Sequence, residues 1–149
     1  DDQGADFDEH GEINRWQSDD ERAAFDALAQ NIVELADRFE TVPGAYLQGK
    51  LILGEAIADI GGLQLAVSAL RAKNGRGKDF RELFTNFASC ECGHATTERL
   101  MELAKTDPHP PAPFRVNCVV NHIDDFYDVY DVSVSDKLFL PTDKRAQIW

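Results

Sequence analysis

Glu55 and Asp59 stand four residues apart inside residues 54–66, GEAIADIGGLQLA, where every other side chain is small, apolar or, at Gln64, uncharged. A helix through this stretch puts both carboxylates on one face, one turn apart. Like charges at that spacing cost an isolated helix ~0.2–0.5 kcal/mol, and removing them from water costs several kcal/mol per ion unless a positive group compensates. Three outcomes satisfy that requirement: a solvated pair, neutralisation by a basic residue such as Arg115, or a bound metal ion with further ligands.

A second concentration of chemistry lies at residues 106–115, where four prolines flank His109 and precede Arg115. So many prolines exclude an ordinary helix interior, and a rigid loop that presents these side chains is expected. Other candidates are weaker. Cys90-x-Cys92 lacks a second Cys or His pair at zinc-site spacing, although His94 and His109 follow, and semi-buried helical cysteines are the plainer expectation. Residues 6–17 begin like a calcium loop, with oxygen donors at alternate positions and Gly11 sixth, but Gln17 stands where a bidentate Glu is required. A tight turn built on Asp and Gly is expected there.

The elements that must position these groups read mainly as helices. Ser18 and Glu21 form a capping box ahead of an apolar pattern from Phe25 to Phe39, which predicts a helix of about five turns. Thr41-Val42-Pro43-Gly44 ends it, and Gln48-Gly49-Lys50 makes a second turn. A second helix over residues 53–72 carries the acidic pair and is interrupted at Gly61-Gly62, where another backbone should approach closely. A third runs from about Asp79 to Ala104, bent near Gly93, and a short fourth covers residues 121–130. Hairpin-like pieces are expected near residues 6–15, 47–53 and 114–120.

With 149 residues, 43% of them hydrophobic, the chain suits one globular unit. A net charge of -12 and a pI near 4.6 argue against nucleic acid or an anionic membrane surface as partner. No apolar run approaches the ~20 residues of a membrane span, and the acidic N-terminus lacks the features of a signal peptide. The start on Asp1-Asp2 without Met is what a boundary cut from a longer polypeptide looks like. Three cysteines imply no internal disulfide framework, so reducing conditions, and with them the cytoplasm, are slightly favoured.

Four stretches, in this order, resemble the neprilysin and bacterial PepO family of zinc metallopeptidases, and together they cover the whole chain. They are residues 1–16, with Asp1-Asp2-Gln3-Gly4, Phe7-Asp8-Glu9-His10-Gly11 and Trp16; GEAIADIGGL, similar to the family's Glu-x-x-x-Asp zinc motif with Ala56 where Asn is usual; TDPHPPAPFRVN, similar to its His loop; and DDFYDVYDV with the terminal Gln147-Ile148-Trp149. The resemblance implies the C-terminal helical part of a thermolysin-like zinc peptidase domain, residues 1–149. Carried over residue by residue, it makes Glu55 a zinc ligand and Asp59 the carboxylate that orients a histidine ligand. His109 would hydrogen-bond the oxyanion, and Arg115 would bind a substrate backbone carbonyl. It also puts Cys90 and Glu91 where the family has an apolar residue and Trp beside a substrate pocket, so a carboxylate there would disfavour large hydrophobic side chains.

The family's His-Glu-x-x-His helix, which holds two zinc ligands and the general base, has no counterpart among the four histidines here and would end a few residues before Asp1. The expectation is therefore a fragment of a metalloendopeptidase acting on peptides, inactive and at most a weak metal binder by itself, that self-associates through faces meant for the missing segment. The family includes intracellular and surface-bound enzymes, so an exported parent fits it as well. The competing expectation is a non-catalytic acidic helical binding module that kept the fold.

Overall fold

A computed structural model describes residues 4–146; Asp1 to Gln3 and the Gln147-Ile148-Trp149 stretch lie outside the described residues. Its secondary structure is mainly helical. The Ser18 capping box forms as read, with the Ser18 hydroxyl accepting from the Glu21 N–H, and it starts α1, Asp19–Asp37. A two-stranded antiparallel hairpin, β1 Glu40–Val42 and β2 Ala45–Tyr46, follows, and its turn uses Gly44 at φ 81°. Then come α2 Gly49–Ala72, α3 Gly77–Cys90, α4 Thr97–Thr106, α5 Ala112–Val120 and α6 Asp124–Tyr130, with single 3-10 turns at Gly4–Asp6 and Thr142–Lys144.

α2 is the axis of the domain: α1, α3 and α5 pack on it, while α6 packs on α3 and the hairpin rests on α4. Its buried side chains Ile52, Ile57, Ile60, Leu63 and Val67 meet Ile32 and Ala36 of α1, Phe84 of α3 and Phe114 of α5 in one continuous core. At 24 residues α2 is long and apolar enough, by length and mean composition alone, to cross a membrane, although Lys50, Glu55, Asp59 and Arg71 interrupt it. Here that apolar character serves the core.

α2 starts four residues before the expected Leu53, because Gly49 is a contact rather than a turn residue. An added Cβ at Gly49 would lie 2.7 Å from the Val33 Cα, and the Gly49 N–H donates to the Asp37 carboxylate at 2.7 Å. Glycine lets α1 and α2 touch backbone to backbone, and the acid at the end of α1 caps the positive end of α2. Gly61-Gly62 does not interrupt the helix. Gly61 is buried, a Cβ on Gly62 would meet nothing within 4 Å, and a close backbone approach occurs at Gly49.

The expected third helix is two. α3 ends at Cys90, and Thr96 caps α4 by accepting the Arg99 N–H. Of the three hairpin-like pieces, residues 6–15 hold one: Phe7 bridges Ile13 around a turn in which the Asp8 carboxylate accepts from the His10 and Glu12 N–H groups and Gly11 takes φ 78°. The piece expected at 47–53 is displaced to 40–46, and residues 114–120 are helical in α5. Pro113 explains that last difference. It lies in the first helical turn, where the N–H that proline lacks has no partner to lose.

The C-terminal segment is pinned by a buried histidine. His122 Nδ1 accepts from the Ala146 N–H at 2.8 Å, so the neutral ring carries its proton on Nε2, which has no partner among the described residues. Burial first, and then the Arg145 charge, push His122 down to about 4. The native state therefore holds this ring neutral, whereas the unfolded chain protonates it near 6.5. Its contribution is fully present above that value and is lost as pH falls toward 4. The unfolding free energy from urea titrations across this window should fall with acidification, by on the order of 3 kcal/mol from this group alone, and His122→Gln should flatten the slope.

Candidate active site

The site assembles from three places. α2 supplies Glu55 and Asp59, the loop after α4 supplies His109, and the first turn of α5 supplies Arg115. Arg115 is thus helical rather than on the proline-rich loop, and its direction is fixed by its neighbour. Phe114 is 1% exposed and packs edge-on against Phe39, ring centroids 5.4 Å apart, which locks α5 onto the segment after α1.

Arg115 grips Asp59 bidentately. Nε donates to Oδ2 at 2.7 Å and Nη2 to Oδ1 at 2.6 Å, in the parallel fork geometry that makes such pairs strong. The Asp59 hydrogen bonds are the main cause that raises the Arg115 pKa further above its ordinary value, against the opposing effect of burial. Of the outcomes open for the acidic pair, neutralisation by Arg115 holds for Asp59. Glu55 is different: its side chain is 38% exposed, with Oε1 3.8 Å from His109 Nε2 and Oε2 3.9 Å from Arg115 Nη2, both beyond hydrogen-bonding distance. Glu91, at the end of α3, brings a third carboxylate to within 3.7 Å of Arg115 Nε.

His109 is held by a residue to which the sequence reading gave no role. Asp107 Oδ1 accepts both the His109 backbone N–H at 2.9 Å and Nδ1 at 2.8 Å, and these two bonds, the backbone one foremost, hold the Asp107 carboxyl below its usual range. The signal was available: Asp two residues before a His in a proline-rich turn is an Asx-turn pattern. The fixed ring faces Glu55 on one side and a cavity of about 440 Å³ on the other, walled largely by apolar side chains of α4 and the proline loop.

The donor set decides what the chain can hold by itself. Glu55 offers one carboxylate with a guanidinium beside it, and no group of three or more His, Cys, Asp or Glu among the described residues could hold a metal ion. These residues alone do not fit zinc. Cys90 and Cys92 are exposed rather than semi-buried, and burial pushes the Cys118 thiol up to about 12.

A family model for peptidase family M13 matches residues 1–146. The chain belongs to peptidase family M13. Among M13 relatives, it is 37% identical over 149 residues to a neutral endopeptidase of Lactobacillus helveticus, which matches all of this chain and 22% of that protein. It is 32% identical over 161 residues to Neprilysin-3 of Drosophila melanogaster, with all of this chain and 20% of that protein matched. The solved zinc metalloprotease Zmp1 of Mycobacterium tuberculosis, in complex with an inhibitor, superposes with a TM-score of 0.92 at 32% identity, over 100% of this chain and 25% of that one. PepO from Lactobacillus rhamnosis HN001 gives 0.90 at 28% identity, over 98% and 23%. The chain therefore spans a quarter or less of these M13 proteins, and its helical fold is that of a part of their structures.

The Asp59–Arg115 pair is shielded enough to matter energetically, with side chains 13% and 23% exposed. A double-mutant cycle with Asp59→Ala and Arg115→Ala, read by denaturant unfolding, should give a coupling of about 1–3 kcal/mol, because each single change strands a half-buried charge.

Proposed function

We propose that this chain is the C-terminal portion of the catalytic domain of a zinc-dependent metalloendopeptidase that hydrolyses peptide bonds of peptides. The observation that carries this reading is the convergence of Glu55 and Asp59 from the middle of the chain with the distant His109 and Arg115 on one half-exposed face beside a cavity. Membership of M13 and likeness to a neutral endopeptidase and a zinc metalloprotease support it.

In this reading Glu55 gives one ligand to zinc, and a segment preceding Asp1, bearing a His-Glu-x-x-His helix, completes the ion's coordination. Zinc of this kind supplies a water of lowered pKa and polarises the scissile carbonyl. The chain's own residues position and stabilise. Asp59 orients a histidine ligand of the incoming helix through lone pairs not used by Arg115. The bidentate pair occupies two of the five guanidinium N–H groups, which leaves Arg115 donors for a substrate carbonyl. His109 Nδ1 lies 2.8 Å from Asp107 Oδ1, and with Nδ1 held there the Nε2–H would be the group that donates to a developing oxyanion.

The isolated chain, with one carboxylate ligand, is inactive in this reading. The competing module, a pseudo-peptidase, is an outcome of the same test. The gene is extended upstream of Asp1, the longer protein is purified, and zinc content and peptide hydrolysis are measured. One zinc per chain, cleavage that His109→Ala lowers by about 10²–10³ in kcat, and loss of zinc in Glu55→Gln support the reading; a folded, metal-free product without cleavage makes it a binding module. Tight stoichiometric zinc in the isolated chain, with hydrolysis lost in Glu55→Ala, would overturn the claim of fragment inactivity.

Large apolar side chains stand exposed on the isolated chain, Leu65 of α2 at 72% among them. We propose that they belong against the preceding segment and that the isolated chain self-associates through them. Sedimentation should show concentration-dependent oligomers, and a clean monomer refutes the idea. The three free thiols favour a reducing compartment for the parent.

A further inference from the structure

Glu91 is the capping residue at the C-terminal end of α3, and its side chain is 23% exposed. It stands in the wall of a shallow trough of about 390 Å³ between the end of α3 and the start of α5, with Ala88, Pro113 and Val116 as apolar wall. That trough and the cavity walled by His109 share Gly93, His94, Ala112 and Pro113, so the two form one continuous surface.

The charge on this surface is unbalanced. Three carboxylates, Glu55, Asp59 and Glu91, lie within 4 Å of Arg115, whose guanidinium is committed to Asp59 at 2.6 and 2.7 Å. Glu55 is the carboxylate that the peptidase reading gives to zinc and Asp59 takes both strong bonds of Arg115, so the charge left over on this surface is that of Glu91, whose contact at 3.7 Å is too long for a hydrogen bond. The end of α3 adds to this independently. A helix C-terminus carries partial negative charge, and α3 has no basic residue in its last turn to offset it.

We propose that Glu91 makes this trough a subsite for a basic side chain, so that the enzyme prefers peptides with Lys or Arg at the residue lying over the end of α3. The methylene stem of such a side chain covers Pro113 and Val116, while its charged head meets Glu91 and the final carbonyls of α3. This specificity rests on the peptidase reading above.

The test uses the protein extended upstream of Asp1 and sets of peptides identical except for Lys, norleucine or Glu at one position, scanned across the residues flanking the cleaved bond. At one position kcat/KM should favour Lys over norleucine by about tenfold, the size of one charge-assisted contact. That ratio should shrink with added salt, approach one in Glu91→Gln, survive largely in Glu91→Asp, and turn toward the Glu peptide in Glu91→Lys. Taking the ratio within each variant cancels any common loss from a loosened Arg115. Cleavage with norleucine equal to or better than Lys at every position overturns the proposal alone, as does a Lys preference that Glu91→Gln leaves unchanged. Failure to cleave any peptide overturns the peptidase reading and this subsite with it.

Discussion

The bidentate contact between Asp59 and Arg115 joins positions 56 residues apart and ties the middle of α2 to the first turn of α5. The other carboxylates near it, Glu55 and Glu91, differ in how they share that guanidinium. Asp59 is the more buried acid and takes both strong hydrogen bonds, whereas Glu55, one turn earlier, is left facing outward with only long contacts. Two carboxylates on one helix face are thereby made unequal by a single cation. One is satisfied inside the chain, and the other retains lone pairs for an external partner. An i,i+4 acidic pair on a solvated helix would show no such division.

What the sequence revealed, and where it misled, follows from the range of the forces involved. The Ser18–Glu21 capping box, the Asp8 turn and the acidic pair on α2 depend on neighbours within four residues, and each was readable. The errors arose where tertiary contact or position within an element overrode a local rule. Glycine usually marks a turn, but at Gly49 the approach of Val33 demands it inside a helix. Proline usually breaks a helix, but the first helical turn tolerates Pro113. The break between α3 and α4 was placed near Gly93 as a bend, whereas the Thr96 cap starts a separate helix. The partition of Arg115 among Asp59, Glu55 and Glu91 was not legible, since no spacing rule reports which of several acids lies 2.6 Å away and which lies 3.9 Å away.

The two donors of the site are held by different means, and the difference matters for a chain that spans only part of its relatives. His109 is oriented locally: Asp107, two residues earlier, accepts from its backbone and its ring, and flanking prolines restrict the turn. Little conformational entropy remains to be lost there, so its orientation survives small shifts of the surrounding helices. Arg115 is oriented globally. Its place depends on Phe114 packing against Phe39, on α5 lying against α2, and on Gly49 letting α1 and α2 approach. Loosening any of these helix contacts moves the guanidinium away from Asp59 and leaves three carboxylates competing for a cation that no longer has a preferred seat. An additional segment packed against α2 would therefore act on the site in two ways, through whatever groups it brings and through the rigidity it gives α2. Of the two donors, Arg115 is the one whose geometry responds to the second.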